Sequence, residues 1–353
     1  MLAWYSCICS YSMENYILTM NSKSERELSL PDIELIKLNQ STDRFGFSYF
    51  LRDNLNIKLP YHSFCGWDQG WYYGNSDVWV EEDFISGDVN KNFTYLTGDK
   101  DCKILLNNLG YRNVVMAGLP FCYIDFPKVD RIKNSAIFML PKQMTQCAHI
   151  GKIYQDKDKD RFFENCRIKF IEYINGVKND FDKVVVCIFP GNSDSEELIS
   201  VCKKNKLEVV LGANPYDKNA LTRMAILFSK FEYSIANGMG SHIIYANIMG
   251  AKCCIVDPVV DWHNAARSNI WNDGFSNKYC RKAYPWLYVE HYRSAKNQKK
   301  WALRMAGCEF KLDKNNLVKV LGWSILGQIK GFYSVILRRL VRGYNYFSNF
   351  FSH

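Results

Sequence analysis

The sequence predicts an α/β protein built on mostly parallel sheet, and two observations carry that expectation. Short, continuously apolar, β-branched runs alternate with amphipathic stretches from residue 135 onward. Strands buried on both faces read in that unbroken way. The spacers between them are of helical length, so successive strands need crossovers and lie parallel beneath helices on both faces.

The first run is SAIFML (135–140). Phe162, Phe163, Cys166, Phe170, Ile171 and Ile174 then recur at three- and four-residue steps, which predicts a helix over 158–177. KVVVCIF (183–189), a helix near 194–205 and LEVVLGA (207–213) follow. The alternation continues through a helix over 217–230, EYSIAN (232–237), a helix at 241–249 and AKCCIVD (251–257). This is a Rossmann-like unit over 135–310. Upstream, FTYLTG (93–98), a short helix near 101–109 and NVVMAGLPF (113–121) form another strand–helix–strand unit, with FPKVDRIKNS (126–135) as a polar linker. The expected domains are therefore 1–130, 131–318 and a tail over 319–353.

Composition narrows the classes. Over 353 residues, 48% are hydrophobic and 23% charged, which excludes a disordered chain. No run approaches the ~18–20 apolar residues of a spanning helix. The thirteen cysteines contain no CxxC pair, so they read as buried thiols of a reducing cytoplasm and not as a zinc site. The opening residues lack the basic and apolar regions of a signal peptide. A net charge of +9 raises the question of nucleic acid. The basic excess sits mainly in the tail, however, and no recognised nucleic-acid motif occurs, so no such partner is expected.

From Lys314 onward there is no acidic residue, while Lys314, Lys319, Lys330, Arg338, Arg339 and Arg342 alternate with aromatic side chains such as Trp323, Phe332 and Tyr333. Such a segment suits an anionic membrane surface. It equally suits a helix packed back across the domains.

Ligands of parallel α/β sheets bind at the carboxyl ends of the strands. After EYSIAN comes the turn Asn237-Gly238-Met239-Gly240-Ser241-His242, leading directly into a helix. Unpaired N–H groups and the positive dipole end favour phosphate there. The turn is neither a GxGxxG fingerprint nor a P-loop, and Ser241 also fits a plain helix cap.

SIANGMGSHIIYANIMGAKCCIVD resembles the donor-side segment of glycosyltransferases from bacterial O-antigen and capsule clusters. Upstream, Tyr216, Asp217, Leu221 and Arg223 match that family's Tyr-Asp-x-x-x-Leu-x-Arg helix. NVVMAGLPFCYI and SAIFMLPKQMTQCAH are similar to two further stretches, so the likeness covers about residues 60–260. The resemblance implies a GT-B fold, two facing Rossmann-like domains with the donor on the C-terminal one, here followed by the basic aromatic tail. It implies that Asn237, Gly238, Gly240, Ser241 and His242 hold the donor phosphate and that Asn214 and Tyr216 approach the nucleotide or sugar. Arg223 would be a phosphate contact or a structural residue. No resident cofactor is implied, the nucleotide sugar being a co-substrate, and the acceptor would be a glycan or lipid-linked glycan at the inner face of the cytoplasmic membrane.

The sequence departs from the family where a Trp-x-His-Gly-Trp stretch becomes Trp67-Asp68-Gln69-Gly70-Trp71 and where Pro-x-His-Ser becomes Pro141-Lys142-Gln143-Met144. An inverting transferase needs a base for the acceptor hydroxyl. Asp68 is the first candidate and His62 the second, although Asp68 also fits a turn cap. Trp67, Trp71, Tyr72 and Tyr73 suit a sugar platform or a packed core, Gln69 is a further substrate-binding candidate, and Lys142 suits phosphate. No carboxylate pair of the metal-binding kind is expected, since DKDKD (156–160) reads as a solvated helix face. The missing histidines keep a non-catalytic sugar- or nucleotide-binding protein open as the alternative.

Overall fold

A computed structural model describes residues 23–38, 40–59, 61–68, 70–71, 94–108, 110–125, 128–140, 157–189, 195–259, 277–333 and 336. The strands are β1 (Cys65–Trp67), β2 (Thr94–Thr97), β3 (Asn113–Met116), β4 (Ile132–Met139), β5 (Lys183–Ile188), β6 (Glu208–Leu211), β7 (Phe231–Ala236) and β8 (Lys252–Ile255). The helices are α1 (Lys23–Glu27), α2 (Phe47–Asn54), α3 (Lys100–Asn108), α4 (Lys157–Val177), α5 (Ser195–Lys204), α6 (Ala220–Lys230), α7 (Ser241–Ile248), α8 (Asn277–Ala283), α9 (Lys299–Met305) and α10 (Lys314–Leu321).

The fold is α/β with two parallel sheets, one of three strands in the order β1-β2-β3 and one of five in the order β6-β5-β4-β7-β8. The larger sheet starts in its middle, winds outward through β5 and β6, then returns to the other side of β4. Its central strands are apolar because helices cover both faces. Ile137, Val185 and Val210 pack toward α6 and α7, while Phe138, Val186 and Val209 pack toward α4 and α5. The first of these clusters continues into the smaller sheet through Leu96, Ala117 and Phe121. Phe121 stacks on Tyr245 of α7 with centroids 4.0 Å apart, so the two sheets share packed core.

Two segments cross the expected domain boundaries. Residues 23–36, assigned by sequence to the first domain, lie along the β6 side of the larger sheet. Leu35 bridges Asp217, and Glu25 accepts from the Leu211 N–H at 3.1 Å. This pairing also explains why α6 begins at Ala220 and not at 217: the Asp217 carboxylate is occupied by the N–H groups of Glu34 and Asn219. Residues 299–321 return toward the smaller sheet, where the Leu119 N–H donates to the Ala306 carbonyl. Cys122 and Cys308 there form a disulfide, which departs from the expectation of thiols throughout. The eight other described cysteines are in no disulfide.

No helix among the described residues is long and apolar enough to cross a membrane.

Candidate functional site

The winding of the larger sheet reverses between β4 and β7, and a crevice opens at such a reversal at the carboxyl ends of the strands. Asn237 stands immediately after β7 and is fully buried. Its amide nitrogen donates to the Pro258 carbonyl at 3.3 Å, while its side-chain oxygen is buried without a donor. Gly240 then precedes α7 and supplies no side-chain cap. A Cβ there would come within 3.0 Å of the His242 ring, so glycine lets that ring fold back over the turn.

His242 returns one ring nitrogen to the Gly238 carbonyl, while its Nε2 is shielded and unpartnered. Burial pushes its pKa down to about 4, opposed by the bond to Gly238. The imidazole is therefore neutral near pH 7, with Nε2 as a bare acceptor. Ser241 Oγ accepts from the Trp71 N–H at 2.8 Å and bonds to the Tyr245 hydroxyl one turn further along α7. Burial holds the Tyr245 phenol well above its usual range, and the negative charge of Asp68 acts in the same direction.

Asp68 approaches this group from the smaller sheet. It follows β1 directly and its N–H donates to the Leu96 carbonyl at 3.0 Å. The side chain is buried. One carboxylate oxygen accepts from the Tyr95 hydroxyl and the other from the Cys102 thiol at 3.3 Å. The Cys102 thiol is strongly raised by burial and by the adjoining Asp68 charge, so it stays protonated as a donor. Gly70 closes the gap between the sheets: a Cβ on it would lie 2.8 Å from Ser241 Oγ.

Asp68, Trp71, Ser241, His242 and Asn237 thus belong to one region built from both sheets. Tyr95, Cys102 and Tyr245 belong to it and were not singled out from sequence. Only Tyr245 had a legible signal, standing four residues after Ser241 on the same helix face.

Other candidates lie elsewhere. Trp67 takes the packed alternative: its indole N–H donates to the Gly118 carbonyl at 2.8 Å, and its ring meets Phe47 edge-on at 4.7 Å. His62 packs against Phe64 and Phe332, and burial lowers its pKa against the opposing charge of Asp43. Arg223 is 1% exposed. It pairs with Glu25 at 3.0 Å and donates to the Pro31 and Leu211 carbonyls, which fits the structural alternative and leaves little for phosphate. Asn214 Oδ1 accepts from the Tyr216 N–H at 3.0 Å in the turn after β6, two strands away from β4. Gln69, Tyr72, Tyr73 and Lys142 lie outside the described residues.

No protein-family model matches this chain, and no significant match is found among curated proteins or among solved structures.

Proposed function

We propose that the chain is a glycosyltransferase of the GT-B kind, transferring a sugar from a nucleotide-activated donor to a surface polysaccharide or lipid-linked glycan. The observation that carries this reading is the placement of the Asn237–His242 turn at the reversal of one parallel sheet, facing Asp68 from another. In this reading the first turn of α7 receives the donor phosphates through its N–H groups. The Asn237 oxygen takes a hydroxyl of the ribose or sugar. Asp68 accepts the proton of the attacking acceptor hydroxyl as the new glycosidic bond forms and the nucleoside diphosphate departs. The leaving-group charge is met by the helix start and by His242 once protonated. The protein works in the cytoplasm, held peripherally at the inner face of the membrane where a lipid-linked acceptor is presented.

A second reading, a non-catalytic sugar- or nucleotide-binding protein, is favoured by one observation. Both Asp68 oxygens already accept a side-chain donor, which suits a structural carboxylate as well as a base.

A thermal-shift panel of UDP, GDP, dTDP, CDP and CMP, each with its sugars, tests the site. A ligand bound only by the native state raises Tm in proportion to RT ln(1 + [L]/Kd). One nucleotide should respond, and Ser241→Ala or His242→Ala should abolish the response. Silence across the panel removes the donor-site assignment. Product formation from the responding donor separates the transferase from the binding protein.

A further inference from the structure

Residues 325–333 are helical and follow α10 after a break at Trp323. Trp323 is not an interfacial ring: it is 2% exposed and its indole N–H donates to Ser63 Oγ at 2.9 Å. The helix after it is held through an unusual face. Gln328 donates to the carbonyls of His62 and Gly322 at 2.8 and 2.7 Å. Gly331 is so close to Phe64 that a Cβ would lie 2.2 Å from its ring. Gly327 likewise faces the Gly322 carbonyl, 2.5 Å from where a Cβ would stand. The small and polar side of this helix is therefore the one turned inward.

Its large apolar residues lie mostly on the other side, with Phe332 at the edge of that face, where its ring also meets Phe64 and His62. Ile325, Leu326, Ile329, Phe332, Tyr333 and Ile336 are each 52–69% exposed. At ~100° per residue they fall within an arc of roughly 120°, opposite Gly327 and Gly331, with Lys330 at its rim. A contiguous row of this kind marks an interaction surface, since isolated exposed apolar residues are ordinary but a stripe is not. Charge identifies the partner. From Lys314 to the end the sequence carries six cations and no acidic residue. Lys330 stands at the rim of the face and no acidic residue follows it in the sequence, so a second copy would offer it no countercharge from this segment, whereas an anionic surface does.

We propose that the outward face formed by Ile325, Leu326, Ile329, Phe332, Tyr333 and Ile336 docks onto an anionic phospholipid bilayer, its apolar residues entering the headgroup–acyl boundary and the flanking cations meeting the lipid charge. The surface deepens the acceptor side of the transferase reading and rests on it for its biological purpose. Vesicle binding is measured without any sugar donor, so failure of one proposal is distinguishable from failure of the other.

The test is sedimentation of the full chain with vesicles of phosphatidylcholine alone and of phosphatidylcholine mixed with phosphatidylglycerol. Binding is expected to the mixed vesicles, weakening with salt. The Ile325→Glu/Ile329→Glu variant should partition at least about tenfold less while melting as the parent does. Lys330→Glu, which leaves the apolar row intact and reverses the charge, should lower partitioning to the anionic vesicles by at least about fivefold. Absence of binding to the mixed vesicles, or binding unchanged in the double variant, overturns the proposal. A dimer of the parent chain that the double variant disperses, with no vesicle binding, assigns the face to a second copy and also overturns it.

Discussion

The backbone N–H of Trp71 donates to Ser241 Oγ over 2.8 Å, joining positions 170 residues apart. Through this bond the loop after β1 of one sheet is seated on the first residue of α7 in the other. Ser241 also bonds to Tyr245, so one hydroxyl organises the candidate donor turn and the loop facing it.

That junction makes a coupled prediction. Ser241→Ala removes the acceptor of the Trp71 N–H and should cost about 1 kcal/mol. Gly70→Ala places a Cβ 2.8 Å from Ser241 Oγ and should cost about 1–3 kcal/mol by overpacking. Combined, the two should cost less than their sum, because the atom in the way is gone. Denaturant melts of the four proteins check this, and strict additivity would show that the loops do not meet as described.

His242 predicts a pH dependence with a definite sign. Its folded pKa, about 4, lies below the ordinary 6.5, so the unfolded chain takes up the proton first. Its contribution to stability is complete above about pH 6.5 and declines as pH falls toward 4. His242→Asn should flatten that part of the stability profile. Binding of a nucleoside diphosphate near Nε2 reverses the local preference, because an anion favours the imidazolium. Calorimetry in buffers of different ionisation enthalpy should show net proton uptake by the parent and less by the variant. Equal uptake in both excludes His242 as the phosphate partner.

Arg223 predicts a stability effect without a binding effect. Arg223→Met leaves Glu25 buried and unpaired by its guanidinium, at a cost of about 3–5 kcal/mol. Adding Glu25→Gln should recover part of that loss. Nucleotide affinity, titrated under conditions where the variant is folded, should stay within about twofold of the parent, a difference under ~0.5 kcal/mol. A tenfold loss would return Arg223 to the binding site.

For Asp68, the hydroxyl of Tyr95 is the lever. A hydrogen bond to the ionised carboxylate stabilises that form, so Tyr95→Phe should raise the Asp68 pKa. If Asp68 is the base, the acidic limb of the kcat/KM profile moves to higher pH, and Asp68→Asn lowers transfer by about 10²–10⁴. An unmoved limb together with retained transfer in Asp68→Asn would leave the carboxylate a structural role only.

The parallel strands of the larger sheet were legible because their central residues are covered on both faces and are mostly apolar, as Val185, Val186, Cys187 and Ile188 of KVVVCIF are. The turn at 237–242 was legible because glycines and a hydroxyl residue stand directly between a strand and a helix. Tyr95 and Cys102 were not, since a tyrosine or cysteine in an apolar run looks like core until its partner is known, and Asp68 is 27 and 34 residues away from them.

The sequence by itself determined the α/β class, the parallel alternation and the place of the turn, because these follow from periodicity and local backbone preference. Only the tertiary structure decided which groups meet: Trp71 with Ser241, Arg223 with Glu25, and Gly331 with Phe64. It also decided that Ile325, Leu326, Ile329 and Tyr333 face outward. Periodicity reports which residues share a face, but the partner of that face lies hundreds of residues away and is chosen by packing of the whole chain.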